Sequence, residues 1–381
     1  MRYELYTQRN RVLGSMMTWV EINLSAIREN FRRVKNKVGR RKVLVAVKAD
    51  AYGHGIYEIS RTLEKEGVDF LGIARWEEGA ELREKGIKKP ILMLGAFLPE
   101  DTKKLLEYNI TPSLTSEELV SYLEREAKSK NKKIPVHINV DTGMGRVGLK
   151  PDKVEKVVQE VLDSPNLFLE GIYTHFPSAD EEEEFTRLQI NTFNILTSNL
   201  RVSIPIKHLA NSAGVLNFPE SYSDMVRAGI MIYGYYPSLR VRKSVPLIPS
   251  LTWKTKVLSI KKVEKNTSIS YGRTYFTEKK CKILTLGVGY GDGYPRSLSN
   301  KGEVILKGRR YPVVGRVCMD QVMVEVEIDT PVKVGDEATI IGKEGGEEIK
   351  VEEVARKIDT IPHEVVSIIG RRVKRIYRDE G

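Results

Sequence analysis

Polar residues close a series of short apolar runs in this chain, and their types define a chemistry. The run VLVAV (43–47) ends in Lys48, with Tyr52 four residues on. PVHINVD (135–141) brings Asn139 and Asp141 and leads into the glycine-rich GMGR (143–146). LEGIYTHF (169–176) carries His175, IKHLAN (206–211) is followed by Ser212, and MVRAGIMIYG (225–234) contains Arg227, Gly229 and Ile230. A continuous apolar run reads as a strand buried on both faces, so the lysine at its end lies near the interior. Burial disfavours the ammonium. Such a lysine pairs with an anion, snorkels towards water, or serves as a nucleophilic amine able to form a Schiff base. Past Arg227, the N–H groups of Gly229 and Ile230 offer an anion site close to a strand end, or Gly229 simply eases tight packing there. A Schiff-base lysine, a phosphate site and an arginine together point to pyridoxal phosphate.

The elements that must position these residues are legible from spacing. Eight apolar runs, VLVAVK, FLGIAR (70–75), PILMLG (90–95), ITPSL (110–114) and the four above, alternate with amphipathic segments. This rhythm predicts a (β/α)8 TIM-type barrel, whose active site lies at the carboxyl ends of the strands. In the segment 180–200 the pattern predicts a helix capped by Asp180, with Phe185, Leu188, Leu196 and Leu200 on one stripe. Ahead of the barrel, TWVEIN (18–23) reads as a strand and Leu24, Ile27, Phe31 and Val34 as the inner face of a helix leading into it. Beyond about residue 240 the runs become period-2 and β-branched, with Gly, Asn and Asp turns between them, and only 351–358 looks helical. The expected organisation is an N-terminal extension (1–17), the barrel (18–240) and a mainly β C-terminal domain (241–381).

Composition narrows the class. Of 381 residues, 41% are hydrophobic and no long uninterrupted apolar window occurs, which excludes a transmembrane helix. The two cysteines, Cys281 and Cys318, and the lack of an apolar signal core fit a cytoplasmic protein. The net charge of +11 is scattered among glutamates and not gathered into an aromatic-laced patch, which argues against nucleic acid as a partner. Gly143-Met144-Gly145-Arg146-Val147-Gly148 fits G-x-G-x-x-G, the dinucleotide fingerprint. That fingerprint belongs in the first βαβ unit, whereas here it follows the fifth run and leaves Lys48 unexplained.

With these residues in place, the chain from Thr18 to Tyr377 resembles the alanine racemases of the barrel-plus-β-domain type. The resemblance rests on AVKADAYGHG, DTGMGRVG, YTHF, HLANSAG, VRAGIMIYG, SYGRTY, GYGDGYPR and GRVCMDQ, in the family's order. It implies a pyridoxal-phosphate-dependent isomerase that interconverts L- and D-alanine, supplies D-alanine for peptidoglycan, takes a small amino acid and needs no metal. It implies that Lys48 carries the cofactor and that Tyr52, Ser212, Gly229 and Ile230 hold its phosphate. Arg227 would face the pyridine nitrogen, and a cation that cannot readily protonate the ring would restrain side reactions. Tyr271 would reach into the partner subunit's site, making a homodimer with composite sites, and His175 would link Arg227 to it. Arg146 and the backbone N–H of Met319 would bind the substrate carboxylate. Racemisation needs proton transfer on both faces of a planar carbanion, and Lys48 and Tyr271 would supply the two faces. Tyr290, Arg296, Arg316 and Asp320 resemble an entry corridor or, equally, β-domain ties. Cys281, Cys318, His54, His137 and His208 read as packing or orienting residues.

Two positions depart from the family pattern. Many members have a lysine, often carbamylated, where this chain has Asn139; its amide would help enclose an anion such as chloride. His363 in IPHEVV replaces a tyrosine that touches the phosphate, which changes the pocket wall and leaves open a broad-specificity or basic amino-acid racemase. Single-barrel cofactor-binding proteins lack the domain that bears Tyr271, and decarboxylases of this architecture place a carboxylate where Arg227 stands.

Overall fold

The computed structural model describes residues 16–379. Its contacts form two compact units, one of residues 24–248 and one joining the residues through Asn23 to those from Pro249 onward.

In the first unit the eight apolar runs are strands: β2 (Lys42–Ala46), β3 (Phe70–Ile73), β4 (Ile91–Met93), β5 (Ser113–Leu114), β6 (Ile134–Asn139), β7 (Leu167–Tyr173), β8 (Ile206–His208) and β9 (Met225–Ala228). They pair in parallel in the orders β4-β3-β2-β9 and β5-β6-β7-β8. A parallel bridge between Leu92 and Thr111 joins β4 to the start of β5. Hydrogen bonds from Arg227 N to Ala210 O (2.8 Å) and from Asp224 N to Lys207 O (3.1 Å) join β9 to β8. The ring is thereby closed with no free strand edge. Leu44, Phe70, Leu92, Ile206 and Met225, from five different strands, pack into one buried cluster. Helix Leu24–Val38 buries Leu24, Ile27, Phe31 and Val34, the face expected from its pattern.

One helix departs from the expected stripe. It runs Glu183–Asn199 with Glu182, not the expected Asp180, at its N-cap and no side-chain cap bond, and it buries Thr186, Gln189, Ile190, Phe193 and Thr197, while Leu188 stays 59% exposed. The reason is a polar anchor: Gln189 Nε2 donates to Thr142 Oγ1 (3.1 Å) and to the His175 carbonyl (3.4 Å), so this face turns inward.

The second unit is built on a nine-stranded sheet with the 13-residue strand β10 (Leu251–Val263) at its centre. The strand expected to lead into the barrel, β1 (Thr18–Asn23), lies instead in this sheet, antiparallel to β10 and parallel to Lys374–Arg378. The chain divides at residues 23 and 248. The cause is long-range pairing: Trp19 and Trp253 are buried here, and Trp253 Nε1 donates to Thr18 Oγ1 (2.8 Å). A β-bulge after Val257 turns β10 so that its second half pairs with Cys281–Leu286. Besides the expected helix, which spans Val351–Lys357, a second, Pro362–Ser367, carries His363 at its first turn.

Candidate active site

Lys48 follows β2 after one residue, Val47, and the chain then makes a left-handed turn: Ala49, Asp50, Ala51 and Tyr52 all have φ between 52 and 54°. For L-residues this costs of order 1–2 kcal/mol each, and such strain persists only where surrounding bonds over-determine it. Those bonds are present. The Glu78 carboxylate accepts from the N–H groups of Ala49 (2.6 Å), Ala74 (2.8 Å) and Arg75 (3.2 Å). Asp50 Oδ1 accepts from Ile56 N, the Tyr233 hydroxyl donates to Ala46 O, and His54 Nδ1 donates to Tyr52 O, each at 2.8 Å. The turn brings the Tyr52 ring against Tyr233, with centroids 5.0 Å apart.

Glu78→Ala removes all three acceptors and should lower stability by about 2–4 kcal/mol, since each is a charge-assisted bond. The melting temperature is expected to fall by roughly 5–10 °C on the scale of a unit this size, with cofactor retention falling in parallel. An unchanged melting curve would mean the turn is held without Glu78.

Burial, reinforced by the Arg146 cation, lowers the Lys48 pKa below the ordinary lysine value, against the opposing pull of Glu78. Its ammonium forms no hydrogen bond or salt bridge among the described residues. Arg227 on β9 is 4% exposed. Its Nη1 donates to His208 Nδ1 (3.0 Å) and His208 O (2.9 Å), and its Nη2 to Thr174 O (2.6 Å), Leu209 O (2.9 Å) and His175 Nδ1 (3.3 Å). No carboxylate pairs with it directly, and its Nε carries no bond among the described residues. Burial lowers it to about 10, so it remains a cation at neutral pH. Burial and the cations of Arg227, Arg146 and Lys48 hold His175 neutral, well below the usual imidazole range.

Ser212 opens a short helix after β8, and its Oγ accepts from Gly229 N (2.9 Å). A Cβ on Gly229 would stand 2.8 Å from the Tyr52 hydroxyl and 3.6 Å from Ser212 Oγ, so only glycine lets these two side chains approach the backbone here. Tyr52, Ser212 and Gly229 are thus gathered at one point of the barrel. In the G-x-G-x-x-G stretch, the Asp141 carboxylate already takes the N–H groups of Gly143 (3.0 Å) and Gly145 (3.0 Å). Those donors therefore face no pyrophosphate, and Arg146 in this loop is exposed.

The second unit gathers other residues of the sequence reading. Tyr271 sits in a tight turn with Ser270 and Arg273 at positive φ and is 69% exposed. Ser270 Oγ donates to Arg316 O (2.6 Å) and lies 3.7 Å from Cys318 Sγ, while Tyr290 N donates to Cys318 O (3.0 Å). Arg372 clasps Asp292 (2.7 Å) and Asp320 (2.8 Å), which fixes the segment bearing Met319. Cys281 is a buried packing residue with Ile269, Ile283 and Val314.

The family model for the alanine racemase N-terminal domain matches residues 22–237, and that for the C-terminal domain matches 250–377. The chain belongs to the alanine racemase family. The alanine racemase of Halothermothrix orenii is 45% identical over 368 residues, 95% of this chain and 97% of its own length. The alanine racemase 1 of Caldanaerobacter subterraneus is 44% identical, covering 97% of this chain and 96% of its own. The solved alanine racemase of Clostridium difficile 630 superposes with a TM-score of 0.91 at 40% identity, over 96% of this chain and 97% of that one.

Of the residues expected from the alanine racemase resemblance, Lys48, Tyr52, Arg146, His175, Ser212, Arg227, Gly229 and Ile230 lie in the barrel unit, and Tyr271, Met319 and His363 in the β-rich unit. Asn139, at the end of β6, is buried, and a Cβ on Gly148 would lie 3.1 Å from its Oδ1. Sequence reasoning missed Glu78, which looks like an ordinary first-turn helix acid, and Tyr233, which looks like core. It left His137 and His208 as packing or orienting residues, although His208 contacts Arg227 directly.

Proposed function

We propose that this alanine racemase family member interconverts L- and D-alanine with pyridoxal phosphate attached at Lys48, in a homodimer whose sites are completed by Tyr271 of the partner subunit. The observation that carries the reading is the barrel rim. A lysine with a lowered pKa and no bonding partner among the described residues stands on the same rim as the Tyr52–Ser212–Gly229 cluster and a buried arginine whose Nε is unengaged there. These residues fit the cofactor: Tyr52, Ser212, Gly229 and Ile230 would hold its phosphate, with His363 in the family position beside it, and Arg227 would face its ring nitrogen. When bound, the cofactor withdraws electrons from Cα and makes its proton removable.

The remaining work falls to the chain. Lys48 Nζ, favoured in its uncharged form by burial, accepts or returns a proton on one face of Cα. The Tyr271 hydroxyl does so on the other. Arg146 and the Met319 N–H orient the substrate carboxylate. Arg227 only donates hydrogen bonds, so a ring nitrogen facing it would have no acid to protonate it, which would disfavour side reactions at the cofactor. The strong exposure of Tyr271 in the single chain supports a role towards a second copy.

Circular dichroism of cofactor-loaded protein tests this directly. The ellipticity of L-alanine and of D-alanine should decay to the same zero endpoint, with other L-amino acids slower; a constant alanine signal would refute the reading. Because Asn139 cannot be carbamylated, activity is expected to be insensitive to bicarbonate. A rate that rises severalfold on adding bicarbonate to carbonate-depleted enzyme would overturn that expectation.

A further inference from the structure

Behind Arg227, inside the barrel, a line of polar groups continues away from the rim. His208 Nε2 lies 2.9 Å from His137 Nδ1, and His137 Nε2 lies 3.1 Å from Glu170 Oε2. Both imidazoles are fully buried, and Glu170 is partly so. We propose that Glu170 is a positioning residue for Arg227, acting through a one-directional hydrogen-bond chain across His137 and His208.

The direction follows from what each end can do. A guanidinium has donors only and an ionised carboxylate acceptors only. Arg227 donates to His208 Nδ1, so the His208 proton sits on Nε2 and is given to His137 Nδ1. The His137 proton therefore also sits on Nε2 and is given to Glu170. Both ends demand the same tautomers, so no competing arrangement exists while Arg227 is a cation. Burial, with Arg227 nearby, keeps both rings neutral, since it pulls each below the usual imidazole range.

Two local features of the backbone accommodate this chain. The β6–β7 register shifts between the Val136–Leu169 and His137–Gly171 pairs, leaving Glu170 as the extra residue of a β-bulge that re-aims its side chain. Gly171 makes room for the imidazole: a Cβ there would stand 2.4 Å from His137 Cε1 and Nδ1. The Tyr173 ring, stacked on His208 at 4.6 Å and under the Arg227 guanidinium at 5.0 Å, closes the other side. The carboxylate thus ends the chain as its final acceptor, and His208, held in one tautomer by His137, keeps Nη1 in place.

The tautomer arm of the test is independent of the proposed activity, and only the kinetic arm rests on that reading. With five histidines in the chain, nitrogen-15 NMR of histidine-labelled, cofactor-loaded protein can resolve each ring. His137→Asn and His208→Asn assign the signals. Both rings are expected as neutral Nε2–H tautomers with protons protected from solvent exchange. In Glu170→Ala the His137 Nε2 proton should exchange rapidly and kcat should fall about tenfold with KM unchanged, the size of effect typical for a residue that orients a ligating side chain. Glu170→Gln, whose amide oxygen accepts the same hydrogen, should keep the proton protected and recover most of the rate. Finding either ring protonated on Nδ1 in the unmodified protein overturns the proposal. So does a Glu170→Ala enzyme with unchanged kcat and a protected His137 proton. If Glu170→Ala does not fold, the tautomers of the parent and of Glu170→Gln still decide.

Discussion

Tyr271→Phe should retain the fold, the cofactor and the dimer, yet lose racemisation by about 10²–10⁴-fold, the usual worth of a positioned acid or base. The change removes one oxygen from a side chain that is 69% exposed in the single chain, so no packing is lost. Its turn is held by other atoms, chiefly the Ser270 hydroxyl on the Arg316 carbonyl, and these are untouched. The loss should be directional. With Lys48 intact, one face of Cα keeps its base, and family resemblance assigns Lys48 to the D-enantiomer. Exchange of the Cα proton with deuterated solvent should therefore survive for D-alanine and fail for L-alanine, as mass spectrometry of the recovered enantiomers would show. Equal loss from both would remove Tyr271 from the proton-transfer step.

Lys48→Ala is expected to have the other large effect, because one side chain would both anchor the cofactor and serve the second face. The variant should be colourless after dialysis and at least about 10³-fold less active. Borohydride treatment of the parent protein should fix the cofactor on the peptide containing Lys48, and the variant should yield no labelled peptide. Labelled cofactor on another lysine would refute the assignment. Stability should change little: Lys48 makes no hydrogen bond or ion pair among the described residues, and the left-handed turn after it is held by Glu78, Asp50 and His54.

The contrast between residues legible in the sequence and residues hidden from it has a physical basis. The barrel was legible because each buried strand must be continuously apolar, so a polar side chain closing a run, such as Lys48, Asn139 or Arg227, stands out. Hidden features are those whose meaning comes from a distant partner. Nothing in Ala-Asp-Ala-Tyr announces four consecutive left-handed residues; the conformation is imposed by Glu78, some 29 positions along the chain. The strand Thr18–Asn23 has the right pattern for a strand, but which sheet it joins depends on β10 and on the chain's far end. In the helix Glu183–Asn199, hydrophobicity favoured a stripe through Leu188, and the hydrogen bonds of Gln189 selected another. The bulge at Glu170 shows only in the register of β6 against β7.

The central claim is a shared site, with Lys48 of one protomer and Tyr271 of its partner on opposite faces of one substrate. Mixing Lys48→Ala with Tyr271→Phe, each inactive alone, under conditions of subunit exchange tests it most directly. In a two-fold dimer, random exchange makes half the dimers mixed, and each mixed dimer holds one intact site of two, so recovery should approach about a quarter of the parent activity per subunit. Native mass spectrometry would count the mixed dimers. Activity rising in proportion to that count is the expected result. Mixed dimers that form and stay inactive would contradict the shared site: Tyr271 would then serve its own subunit or play no catalytic part.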